Sequence, residues 1–192
     1  MSDLKLYMVI IGCKPPGRFT EQHDVFFGIG NSLRALAPQM IASWKEAEES
    51  IHIDAWREIS TVDEHAVHIT EKQDTDDAAE KTKLFFINLG GYKENEFEEY
   101  HYKIVTAAKD KGEAIRKSKQ TAFYKHCGFK GAESHIDDKY GIDVDDLYQI
   151  EDVLPAAVKD KYTISLAVVD NATPDELHIG YLTIDKLLQS DL

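Results

Sequence analysis

Cysteine is scarce in this chain. Two residues, Cys13 and Cys127, are too few for a disulfide framework, and no C-x-x-C pair is present to begin a structural zinc site. The longest apolar run, LYMVII within MSDLKLYMVIIGC, is far shorter than the roughly 20 residues that cross a bilayer. With an acid in front of it, it reads as a strand rather than a secretory signal. Cations are outnumbered, 22 Lys and Arg against 35 Asp and Glu, for a net charge of −13. Phosphates would be repelled over most of such a surface, which excludes a general nucleic-acid or anionic-membrane binder and favours cationic ligands, divalent metals among them. Also missing are GxSxG, a Walker loop, GxGxxG and an ordered Ser-His-Asp set. The expected setting is a reduced cytoplasm.

What the chain does contain is a repeat. Laid over itself, Lys5-Leu6-Tyr7-Met8-Val9-Ile10-Ile11-Gly12 falls on Lys83-Leu84-Phe85-Phe86-Ile87-Asn88-Leu89-Gly90, and without a gap Phe19 meets Phe97, Glu21 meets Glu99 and His23 meets His101. After an insertion His52-Ile53-Asp54 meets His135-Ile136-Asp137, Ile59 meets Ile142 and Asp63 meets Asp146. The ordered series implies duplication of one unit, with the insertion in the helix and following loop, where it costs least.

Each half reads as ββαββ. The strand at 5–12 or 83–91 is apolar on both faces and hence buried. The next follows a polar loop, CKPPGR or YKENE, and carries His23, Val25, Phe27 and Ile29, or His101, Lys103, Val105 and Ala107, on one face. A helix then opens at Asn31-Ser32, with Leu33, Leu36, Ala37, Met40, Ile41 and Trp44 at core spacing, and Pro38 should either kink it or make its regular part start later. Its counterpart runs from Asp110 to about His126, where Gly128 can stop it. Strands at 51–59 and 65–70, then at 133–140 and 146–151, complete the copies. The expected fold is α+β, with mainly antiparallel sheets about a pseudo-twofold axis. Its parts are a first repeat at 1–70, an acidic linker at 71–82, a second repeat at 83–155 and a strand extension at 156–192, with strands at 161–169 and 177–184.

On a strand, side chains two apart share a face. Glu21-x-His23, His52-x-Asp54, Glu99-x-His101 and His135-x-Asp137 therefore each present an imidazole beside a carboxylate. Where two such strands adjoin, four N and O donors converge, which suits zinc, iron or manganese. The competing reading is structural: half-buried histidines bonded to carboxylates fix sheets or a homodimer contact without binding anything.

Other motifs carry less. Lys14-Pro15-Pro16-Gly17-Arg18 is a rigid turn with two cations that could receive an anion, although it lacks a phosphate cradle's glycine pattern and reads first as a plain turn. Lys109, Lys111, Arg116, Lys117, Lys119, Lys125 and Lys130 make the second helix basic, a solvated face or a dock for an acidic partner. DDKYGIDVDDLYQIED is acidic but lacks an EF-hand's ligand pattern. Cys127, near a helix C-terminus, lies where the dipole disfavours a thiolate.

KLYMVIIGCKPPGRFTEQHDVFFGI, IHIDAWREI, KLFFINLGGYKENEFEEYHYKIV, KQTAFYKH and SHIDDKYGIDVDDLYQIEDVLP together resemble a bacterial family described as domain of unknown function 1543, in which the domain can occur twice in a chain. The resemblance spans most of residues 5–155 and implies a bacterial, cytoplasmic protein in two tandem copies; it implies no activity, cofactor or catalytic residue. Paired modules with this strand order also resemble, at fold level alone, the vicinal-oxygen-chelate metalloenzymes, which hold metal on strand-borne His and Glu. Three functional expectations follow. The first is a non-catalytic binding or interaction protein that self-associates. The second is a divalent-metal enzyme using Glu21, His23, His52 and Asp54 or their partners in the second copy. The third is an adaptor working through segregated charge.

Overall fold

The computed structural model describes residues 4–47, 50–72, 81–92, 95–120 and 144–192. The chain divides into two units, Met1–Asp76 with Val153–Leu192, and Asp77–Asp152. No helix among the described residues is long and apolar enough to cross a membrane.

In the first unit β1 (Lys5–Cys13) is the central strand, flanked by β2 (Gln22–Gly30) and β3 (His52–Ile59). Its apolar run does bury both faces, with Leu6, Tyr7, Met8, Val9, Ile11 and Cys13 all enclosed. Tyr7, Val9, Ile11 and Cys13 point into one core with Phe26, Leu33, Leu36, Met40, Ile53, Ile184 and Leu187. Each large aliphatic buried there contributes roughly 1.5–3 kcal/mol. The covering helix begins as Ser32 and Pro38 predict. Ser32 Oγ accepts from Ala35 N at 3.2 Å, a 3-10 turn spans Arg34–Leu36, and the regular helix α1 (Ala37–Ser43) has the proline in its first turn.

The remaining strands of this unit are β4 (Thr61–Val62), β5 (His65–Glu71), β9 (Tyr162–Val168) and β10 (His178–Thr183). The first sheet has the order β10-β3-β1-β2 and a second has β4-β5-β9, all pairs antiparallel. Residues 156–192, read from sequence as an extension, thus supply a strand to each sheet of this unit. The strands expected at 161–169 and 177–184 are β9 and β10; the second gives way to a helix at Ile184–Leu188. Asp175 fastens the intervening loop, because its Oδ1 accepts from Ser60 N (3.0 Å), Ser60 Oγ (2.6 Å) and Thr61 N (3.2 Å).

Two irregularities coincide in the first sheet. Along β1 and β3, Ile10 faces Ala55 but Ile11 faces Ile53, so Asp54 is an extra, bulged residue. Along β3 and β10, Ile179 faces Ala55 and Leu182 faces Ile53, so Gly180 and Tyr181 bulge at the same place. Gly180 has φ +150°, open to glycine and to little else.

The second unit holds β6 (Lys83–Tyr92), β7 (Glu99–Ala108), α2 (Lys111–Ser118) and β8 (Val144–Gln149), in sheet order β7-β6-β8. Asp110 caps α2 by accepting from Glu113 N at 2.8 Å, as its residue type predicts. Phe85, Ile87, Leu89, Ala108 and Ala114 form its core.

Strand order, direction and register match across the two frameworks. Gly12 faces His23 and Gly90 faces His101, while the register shift lies between Ile10 and Ile11 in one and between Asn88 and Leu89 in the other. The second half nevertheless departs from the expected ββαββ. The strand read at 146–151 runs Val144–Gln149, and Ile150–Val153 turns helical. This strand also fills the place of the third strand, since Val144 faces Leu89 as Ile53 faces Ile11. By register, then, Asp145 stands where Asp54 does. The tripeptide at 135–137 lies outside the described residues, as does the strand expected at 133–140.

Candidate functional site

The four side chains singled out in the first half meet at one spot. Glu21 stands at the end of the β1–β2 loop, His23 on β2, and His52 and Asp54 on β3. His52 Nε2 lies 2.9 Å from Glu21 Oε1 and 3.5 Å from Asp54 Oδ1, and His23 Nε2 lies 3.3 Å from Asp54 Oδ2 and 3.7 Å from Glu21 Oε2. Each imidazole thus faces both carboxylates. The alternation of strands brings Glu21 level with His23, and the bulge at Asp54 gives that residue a place outside the regular ladder.

The floor of the cluster is Gly12, which faces His23 on one side and His52 on the other. A Cβ there would stand 2.6 Å from His52 Nε2, 2.7 Å from Asp54 Oδ2 and 3.1 Å from His23 Cδ2. Every other residue type would fill the space into which the donors point. Burial is graded: the His52 side chain is 7% exposed and Asp54 30%, whereas His23 and Glu21 are near 45%, so one wall opens to solvent.

Two polar atoms in this cluster are unsatisfied. His52 Nε2 and Asp54 Oδ2 are buried and have no hydrogen-bond partner. The 2.9 Å approach of Glu21 Oε1 to His52 Nε2 therefore lacks hydrogen-bond alignment. Both atoms have ionisable neighbours: Glu21 Oε1 for His52 Nε2 and His23 Nε2 for Asp54 Oδ2. Among the described residues no group of three or more His, Cys, Asp or Glu side chains is placed to hold a metal ion as it stands. The four here would have to adjust to hold one: donors bound at about 2.0–2.1 Å in a tetrahedron lie roughly 3.3–3.4 Å apart, whereas these four contacts range from 2.9 to 3.7 Å and each uses a different carboxylate oxygen. The 2.9 Å contact would have to open by a few tenths of an ångström.

Two further residues belong to this place. The Tyr181 ring lies 4.5 Å from the His52 ring at a 35° tilt, and Trp56 stacks on His178 at 3.8 Å and 8°, stapling β10 to β3. Tyr181 had no signal in the sequence, because its position follows from the β10 bulge. Gly12 had one: it recurs as Gly90 in the self-match. Behind the floor, Cys13 faces the core, and burial, with the Glu21 charge second, pushes its thiol above the usual range. It is held as a neutral, inert thiol.

In the second unit the described residues include only part of the corresponding set. Glu99 and His101 lie on β7, and the Asn88 amide donates to Asp146 Oδ2 at 3.3 Å and approaches His101 Nδ1 at 3.2 Å. His135 and Asp137 lie outside the described residues, as do Lys125, Cys127 and Lys130.

Residues 18–69, which include all four converging side chains, match the family described as Domain of Unknown Function (DUF1543). No curated protein matches the chain. Among solved structures it is similar to the crystal structure of protein Il1583 from Idiomarina loihiensis, at 21% identity and a TM-score of 0.65, over 95% of this chain and 98% of that one. This likeness concerns the fold.

Proposed function

We propose that the first unit is a divalent-metal centre, with Glu21, His23, His52 and Asp54 as its ligands. The observation that carries the reading is the unpartnered, buried Nε2 of His52, aimed at a space that Gly12 keeps free and that two carboxylates border. Two neutral imidazoles and two carboxylates suit zinc, iron or manganese. Their charges neutralise a divalent ion, and the half-exposed wall leaves room for an exchangeable oxygen ligand. Chemically, the ion would polarise such a ligand or activate water. A role for the same residues in merely fixing the sheet accounts less well for donors left unsatisfied.

The reading extends to the chain as a whole. The shared strand order, register and bulge position support descent of both units from one duplicated ancestor, of which the second copy has kept Glu99 and His101. The four donors of the first unit account for one metal. A bacterial cytoplasm, with reduced thiols, is the setting that fits.

The test is elemental analysis of full-length protein purified without a metal-affinity tag and equilibrated in turn with zinc, manganese and ferrous iron. One equivalent per chain, lost in His52→Ala and kept in His101→Ala, is the expected result. Folded wild-type protein that retains no stoichiometric metal would overturn the reading.

A further inference from the structure

The loop between β1 and β2 has a composition unlike the rest of this acidic chain. It leaves the site floor at Gly12, carries Lys14 and Arg18, and re-enters the site at Glu21. Burial alternates through its start, with Cys13 buried, Lys14 exposed and Pro15 buried. Lys14, the first residue beyond β1, is exposed two residues past Gly12, within about 7 Å of the floor along the chain. The turn is rigid: Arg18 N donates to Pro15 O at 3.2 Å, and Gly17 takes φ +79° at the position where a type II turn requires it. Gln22 Nε2 braces the far end through Thr20 O, Thr20 Oγ1 and Glu21 O.

Neither cation has a carboxylate partner among the described residues, in a protein with 35 acids to 22 bases. The described part of the matching loop in the second unit, Asn95 to Glu98, carries Glu96 and Glu98 instead. The paired cations and the converging donors of the first unit lie on the same strand–loop–strand element. A neutralised metal site has no electrostatic need for nearby cations, whereas an anion bound beside the ion does.

We infer that Lys14 and Arg18 form the anion-recognition arm of the metal site, and that its ligand is a small oxyanion placing one oxygen on the metal and its remaining charge on the loop. The inference rests on the metal reading above. Carboxylates and phosphates share this chemistry. Arg18 offers a planar fork that fits either, and Lys14 a point charge.

The experiment uses full-length protein loaded with cobalt(II), whose visible spectrum reports its ligands, titrated separately with inorganic phosphate and with oxalate. The expected result is a saturable spectral change with at least one anion, the tighter of the two identifying the group preferred. In Lys14→Gln/Arg18→Gln that affinity should fall about tenfold or more, while cobalt affinity holds within about twofold; Lys109→Gln/Lys111→Gln, of equal charge change, should leave both unaltered. Cobalt binding without any anion response, or with a response that the loop variant does not weaken, overturns this inference and leaves the metal reading standing. Failure to bind cobalt at all overturns both.

Discussion

Gly12 and His52 face each other across β1 and β3, and a methyl group on Gly12 would lie 2.6 Å from the unpartnered Nε2 of His52. That relationship makes the absence of a side chain at residue 12 as much a part of the site as the four donors. Gly12→Ala should therefore weaken metal binding about a hundredfold or more, because the methyl occupies the ion's place and pushes the imidazole aside. Competition with a chromophoric chelator measures the loss. The extended backbone there accepts alanine, so the apo protein should stay folded, with a thermal midpoint only a few degrees lower.

His101→Ala and Asn88→Ala should separate the two units. His101 is exposed, so its removal should cost less than about 1 kcal/mol and leave metal stoichiometry unchanged. Asn88→Ala removes the donor to Asp146 and should destabilise by about 1–2 kcal/mol. Urea unfolding of each variant, read beside metal content, tests both statements.

The raised thiol of Cys13 has a stability consequence. Folded protein holds this proton more tightly than unfolded chain, so the contribution is fully present below the ordinary cysteine range near pH 8.5. It is lost as pH rises above that value through the folded one. Wild type should lose stability between about pH 8.5 and 10 more steeply than Cys13→Ala, as denaturant midpoints across that range would show. Equal slopes would mean that the thiol does not titrate differently on folding.

Gly17→Ala isolates the loop from the metal. No atom lies within 4 Å of the added methyl, so the only penalty is backbone strain at φ +79°, about 1 kcal/mol. The variant should bind metal as wild type does and bind the oxyanion several-fold more weakly, because the arm loses its fixed form. Parallel cobalt and anion titrations distinguish this outcome from a general loss of fold.

Metal uptake should release protons and weaken as pH falls, because ligating imidazoles must be neutral. Calorimetric titration in buffers of different ionisation enthalpy measures the protons released. No release at any pH where uptake occurs would count against histidine ligation.

Period and residue type were enough for several elements. The unbroken apolar run of β1 required burial on both faces, Pro38 required a kink or a late start to α1, and Asp110 announced a cap, because each constraint is local to a few residues. The same holds for Glu21-x-His23 and His52-x-Asp54, whose two-residue spacing requires a shared face on any regular strand. Repetition in the sequence also marked Gly12, although not for its role.

What only the tertiary structure decided was partnership. Which strand lies beside β6 is a matter of hydrogen-bond register over a long separation, and it placed Val144–Gln149 there. The coincident bulges that set Asp54 apart and bring Tyr181 against His52 arise where β1, β3 and β10 fit together, and no short stretch of sequence contains that fit. Local preferences fix what a segment becomes; long-range packing fixes what it touches, and the site is made of touching.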